Sequence, residues 1–225
     1  MTLSVLFDTL LATDNAVLPS LTGMRVALHV FWALVLGSAT MLISHKLPRA
    51  YRLGLTIFVM SWTLLPGTAS PAYWLGLAFQ TPSLTSAVIC LVWLVSRRPW
   101  VQTGDAHLGG HPIGWLAAVG MVLGWVLLLD TLAWLPVSVY AWGFSSAAFA
   151  CVAAGVTVAW VVGVRAHVGS MFGPTVVLCV LALFALTRLP TGNVWDALMD
   201  PWLWVALQAY GLFNVVRRLK FARRA

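Results

Sequence analysis

Charge is the scarcest property of this sequence. Only 8% of its 225 residues are Asp, Glu, Lys or Arg, against about 25% in ordinary globular chains. With 61% hydrophobic residues and a mean hydropathy of +0.92, the chain has too few polar groups to cover a water-facing surface. That excludes a pair of soluble domains and implies lipid as the solvent. Cysteine is also scarce. Cys90, Cys151 and Cys179 each lie in an apolar run with no CxxC spacing, which argues against a metal knuckle and a disulfide framework and leaves packing roles. The first 24 residues contain no Lys or Arg, and Asp8 and Asp14 interrupt their apolar character, so no cleavable signal peptide is expected. No apolar segment contains Lys or Glu, and Asp falls only at segment edges. Intramembrane charges mark proton relays, voltage sensors and ion paths, so their absence argues against a proton-driven pump. Neutral-solute transport stays open.

The formal charge of +7 invites a nucleic-acid reading, but its placement excludes one. Five of the thirteen basic residues fall in the terminal run "RRLKFARRA", and the others sit mostly at the ends of apolar segments. These are topology signals, not a groove-lining patch.

Apolar stretches of spanning length number seven: about Arg25–Ser44, Leu53–Pro66, Pro71–Ser96, Ile113–Thr131, Val137–Val164, Met171–Thr187 and Pro201–Val216. The second and seventh are short, and Pro82 should kink or break the third. With the N-terminus outside, eleven of the thirteen basic residues fall on the cytoplasmic side, leaving Arg25 and Arg188 outside. The expected fold is therefore an all-α integral membrane bundle of about seven transmembrane helices, N-terminus outside and C-terminus cytoplasmic. Residues 1–23 form an extracytoplasmic segment, expected as an interfacial amphipathic helix. Residues 24–225 form one polytopic bundle with a basic tail. The stretches before Arg97, Arg165 and Arg217 each turn at a Leu-Pro, a likeness that the positive-inside rule produces by itself or that a parallel repeat around the fourth span would give.

Four groups of residues are candidates for chemistry or contact. "TGNVWDALMDPWLW" places Asp196 and Asp200 four apart among three tryptophans. On a helix they share a face and could bind a cation or act on a lipid head group. The plainer expectation is that Asp200, before Pro201, caps the last span, that Arg188 pairs with Asp196, and that the indoles form an interfacial collar. Gly143, Ala147, Cys151, Gly155, Ala159 and Gly163 recur every four residues, a small-residue stripe suited to helix packing or subunit contact. Gly120 and Gly124 make a shorter one. Gln80 and Pro82 lie within the third span, where a polar side chain must face the bundle or a wet cavity; Gln208, Asn214 and His29 could extend such a solute path. Asp105, His107 and His111 resemble a metal ligand set, but the glycines between the histidines favour a solvated loop. No cofactor is assigned. Haem held by two histidines is not expected, since only His29 lies clearly within a span.

Two resemblances are incomplete. The topology and "PAYWLGLAFQTPSL" resemble the microbial rhodopsins, yet the seventh span lacks the lysine that binds retinal in that family. "ATDNAV" is similar to a short motif of tellurium-resistance-type membrane proteins, without a second acidic intramembrane motif.

The expected function is that of a small transporter or permease for a neutral or weakly charged solute in the plasma membrane, the inner membrane of a bacterium. The alternative is a non-catalytic subunit of a larger membrane complex. A membrane enzyme acting at the outer face through Asp196 and Asp200 ranks third. Expected partners are the lipid bilayer and either other membrane subunits or further copies of the chain, with no nucleic acid. In this topology a cysteine at Asn193 reacts with an impermeant thiol label from outside and one at Gln102 does not; the reverse pattern overturns the orientation.

Overall fold

The computed structural model describes residues 16–96, 112–165 and 172–222. The expected N-terminal amphipathic helix and the Asp105, His107 and His111 loop fall largely or wholly outside these residues. The described chain is helical, with no strand among the described residues: α1 (Leu21–Ile43), α2 (Arg49–Thr63), α3 (Pro71–Phe79), α4 (Leu84–Val95), α5 (Pro112–Thr131), α6 (Val139–Trp142), α7 (Ser146–Arg165), α8 (Phe172–Thr187), α9 (Val194–Leu198) and α10 (Pro201–Ala222).

Among the described residues, two helical segments are long and apolar enough to cross a membrane by length and composition. They are α1 with the 3₁₀ turn that follows it, Leu21–Lys46, and α7, with hydropathies of 2.0 and 2.2 over their windows. Shorter apolar helical stretches among the described residues are Leu84–Val95, Leu116–Thr131 and Phe172–Thr187. The third expected span breaks between Phe79 and Leu84, where the sequence places Pro82. The fifth is not the continuous helix expected over Val137–Val164. Successive i→i+3 bonds, from the N–H groups of Gly143, Phe144 and Ser145 to the carbonyls of Tyr140, Ala141 and Trp142, tighten the chain into a turn. Ser145 Oγ then accepts from the N–H of Ala148 at 3.1 Å and starts α7 afresh.

The described residues fall into two compact units. One comprises residues 16–96 and 179–198. Its core gathers Phe31, Trp32, Leu84, Val180, Phe184 and Trp195. Here α1 packs on α2, α3 and α4, and α4 packs on α9. Small residues allow the approach: a Cβ at Gly37 would lie 2.6 Å from Met60 Cγ, and one at Gly76 would lie 2.8 Å from a methyl of Leu28.

The other unit comprises residues 112–165, 172–178 and 199–222. In it α5 packs on α10. A Cβ at Gly124 would run into the indole of Trp204, and one at Gly120 would lie 2.9 Å from a Leu207 methyl. The indole cannot swing away freely. It stacks edge-on against Trp125, with centroids 5.1 Å apart, and its Nε1 donates to the Met121 carbonyl at 3.3 Å. Gly155 on α7 is the contrast, since a Cβ there meets nothing within 4 Å.

These environments give opposite expectations for the same substitution. Gly124→Ala should destabilise by about 1–3 kcal/mol through overpacking, whereas Gly155→Ala should cost nothing in detergent-solubilised protein and gain up to about 1 kcal/mol from helix propensity. Denaturant melts of both variants check this; equal effects would mean that α5 and α10 do not pack as described.

Candidate functional site

The interruption between α3 and α4 holds one of three non-glycine residues with positive φ among the described residues. Gln80 ends α3 with φ 61° and ψ −159°, a region essentially reserved for glycine. Its N–H still donates to the Gly76 carbonyl at 3.0 Å, and its own carbonyl accepts from Trp32 Nε1 at 2.9 Å. The backbone of Gln80 is thus clamped from both sides while its side chain is exposed. Of the two settings expected for the Gln80 side chain, the exposed residue departs from the bundle interior and leaves the wet cavity open; the strained φ directs the peptide, not the amide, toward Trp32. Pro82 is buried in the break.

Beyond the break the chain buries Ser83, Thr85 and Ser86. Ser83 Oγ accepts from the Ser86 N–H at 3.1 Å and so caps α4. Thr85 Oγ1 donates to the Ala197 carbonyl at 3.2 Å, tying α4 to α9. Sequence reasoning passed over these hydroxyls, although the run "TPSLTS" just after a proline is a helix-start signature.

The turn before α9 is equally ordered by polar groups. Fully buried Asn193 accepts from the Trp195 N–H at 2.9 Å through Oδ1. Thr191 Oγ1 donates to Asp196 Oδ2 at 2.5 Å and accepts from the Asn193 N–H at 3.3 Å. Because Asn193 is enclosed, a thiol label cannot reach that position, and an outer-face probe belongs elsewhere. Arg188 does not pair with Asp196. It takes a φ of 58°, and its guanidinium lies over the Phe184 ring, 5.4 Å from the centroid.

Asp196 and Asp200 do not share a helix face. Helix α9 stops at Leu198, and Asp200 lies outside it as the cap of α10, accepting from the Leu203 N–H at 2.7 Å. Pro201 follows at the first helical position. The capping role expected from sequence is the one Asp200 fills.

Gln208 lies half-buried on α10. With its amide turned to accept, Oε1 sits 3.0 Å from the Nε1 atoms of both Trp204 and Trp125. Its acceptor is therefore committed to two indoles and works as part of the α5–α10 contact. Asn214 is half-buried further along the same helix. His29 sits on α1 with Nδ1 2.9 Å from the Arg25 carbonyl; Nε2 is enclosed without a hydrogen-bond partner. The tautomer that donates from Nδ1 leaves Nε2 a bare acceptor. No group of three or more His, Cys, Asp or Glu suited to a metal occurs among the described residues.

The small-residue stripe divides. Gly143 is buried in the turn before α7 and so leaves the helix altogether. On α7, Ala147 and Ala159 are half-buried and Gly163 is buried, while Cys151 and Gly155 at its middle are exposed.

No protein-family model, curated protein or solved structure matches the chain.

The conformation of Gln80 makes a direct prediction. Gln80→Gly should hold or raise thermal stability, by up to about 2 kcal/mol, because glycine adopts this φ without strain. Thermal melts of Gln80→Gly beside Gln80→Ala test it; a glycine variant less stable than the alanine one would contradict the strained backbone.

Proposed function

We propose that the chain is a multi-pass protein of the bacterial plasma membrane that acts as a subunit, seating another membrane chain along α7. What supports embedding in lipid is the surface. Leu186, Ile43, Trp134 and Tyr51 are 84%, 81%, 74% and 73% exposed, on a chain with 8% charged residues. Only 11% of the apolar window of α7 is buried, so α7 does not serve as the core helix of a water-soluble fold. The seven apolar segments and the cytoplasmic bias of Lys and Arg support seven crossings with the N-terminus outside.

The observation that carries the subunit reading is the contrast between two small-residue stripes. Gly120 and Gly124 are filled by Leu207 and Trp204, whereas Gly155 is open and Cys151 is exposed beside it. Lipid drives helices together only weakly, and small residues earn their place by letting another backbone approach. The amides expected to line a solute path support transport less well, because Gln208 is occupied by two indoles. Solute carriage remains the second reading on one specific observation: strained Gln80 presents an exposed amide at a broken helix. An outer-face enzyme has no support from Asp196 and Asp200, whose oxygens receive a hydroxyl and a helix-start N–H.

Native mass spectrometry of the protein extracted gently from its own membrane tests the choice. A defined assembly with other polypeptides is expected. Gly155→Leu should dissociate it without lowering the stability of the isolated chain. A single chain carrying a small bound molecule would favour transport instead. Embedding and orientation have a separate check. In a background without the three native cysteines, a cysteine at exposed Thr68 should react with an impermeant label from outside, and one at exposed Lys46 only after the membrane is opened.

A further inference from the structure

The connection from α1 into α2 and the first turn of α2 concentrate cations with no counter-charge among the described residues. His45 and Lys46 lie in the connection and Arg49 and Arg52 at the start of α2, and no Asp or Glu occurs anywhere from residue 16 to residue 104. Lys46, Arg49 and Arg52 form no ion pair among the described residues. His45, Lys46 and Arg49 are exposed. Arg52 is half-buried, and its Nε is enclosed without a hydrogen-bond partner. A guanidinium donor withdrawn from water without an acceptor is costly, and an anion beside the rest of the group offsets part of that cost by its charge.

The start of α2 adds to the same field. Arg49 and Arg52, three apart, share a face of its first turn. That turn holds no acidic residue, and Pro48 supplies no side-chain cap. Cations at the positive end of a helix dipole oppose it. An anion there would satisfy open amides and cations together.

The neighbours identify the kind of anion. Ile43, Leu47 and Tyr51 are 81%, 46% and 73% exposed around the same connection. A free phosphate has no use for those side chains, whereas a lipid places a phosphate above and acyl chains below. We propose that the α1–α2 connection and the first turn of α2 bind the phosphate of an anionic phospholipid headgroup, with the exposed Lys46 and Arg49 donating to it and the half-buried Arg52 adding its charge beside them. The proposal rests on the membrane reading above. It goes beyond the positive-inside bias, which sets orientation and needs no bound lipid.

The full chain, purified in detergent, is mixed with equal amounts of phosphatidylglycerol and phosphatidylcholine of matched acyl chains, and bound lipid is counted by native mass spectrometry. Phosphatidylglycerol should be preferred about tenfold, and each cation removed should weaken its binding about fivefold. Arg52→Gln and the exposed double variant Lys46→Gln/Arg49→Gln should both lose the preference, while Arg25→Gln should keep it. The double variant alters only exposed side chains, so it stays informative if Arg52→Gln fails to fold. Equal binding of the two lipids, or a preference that survives the double variant, overturns the proposal. Displacement of the lipid by inorganic phosphate would reassign the site to free phosphate and overturn the lipid source. A chain that retains neither lipid and stays dispersed without detergent overturns the membrane reading itself; one that retains both lipids equally overturns only the headgroup site.

Discussion

Closing the backbone at helix ends is the constraint on which this chain depends. A helix leaves its first N–H groups without partners, and a chain this poor in charged surface cannot rely on water to take them. The starts of α1, α3, α4, α6, α7, α9 and α10 are each met by a short side chain: Ser20, Ser70, Ser83, Ser138, Ser145, Asn193 and Asp200. Several of these caps are themselves buried, as at Ser70, Ser83 and Asn193. Each is worth about 1 kcal/mol. More importantly, they let the chain stop and restart helices inside an apolar fold. The interruptions at Gln80–Ser83 and Gly143–Ser145 are tolerable only because a serine stands ready at the far side of each.

Packing follows a second rule in the same chain. Where side chains are uniformly apolar, no helix face is favoured by hydrophobicity alone, and shape has to choose the partner. Gly124 makes that choice for α5 by admitting Trp204, whose indole N–H reaches the Met121 carbonyl and Gln208. In the other unit Gly37 and Gly76 play the same part toward Met60 and Leu28. Gly155 has the same composition around it and no such partner. The difference lies in what faces each glycine, and one sequence cannot reveal that.

Much of the helical layout was therefore legible from local chemistry, and most side-chain destinations were not. Asp200 before Pro201, and the break at Pro82, could be read because a cap and a missing donor act within a few residues. The restart at Ser146 escaped because its cause is a serine and a glycine within an otherwise unbroken apolar run, and helix propensity alone favours continuity there. At Gln80 the limit was different. The sequence marked a polar residue at a helix break, but not that the strained peptide, rather than the amide, meets Trp32. Arg188 was assigned to Asp196 by nearness in sequence, but its positive φ turns the chain and leaves the guanidinium on Phe184. The hydroxyls of Thr85 and Thr191 escaped as well, since their partners depend on which helices meet.

The few carboxylates complete the picture. Asp130 accepts from the Tyr140 N–H at 2.7 Å, Asp196 from the Thr191 hydroxyl and Asp200 from the Leu203 N–H. Each closes a turn or a helix start. None is stationed along α1, α2, α3 or α4, where the sequence has no carboxylate at all. The described acidic groups thus serve turns and helix starts, and none of them stands near the basic groups around the α1–α2 connection in sequence. A protein in water would balance such cations with nearby Asp or Glu to limit self-repulsion. A protein beside an anionic lipid surface has no need to, because the surface is the counter-charge. The separation of the two kinds of charge is what the proposed lipid surroundings would account for.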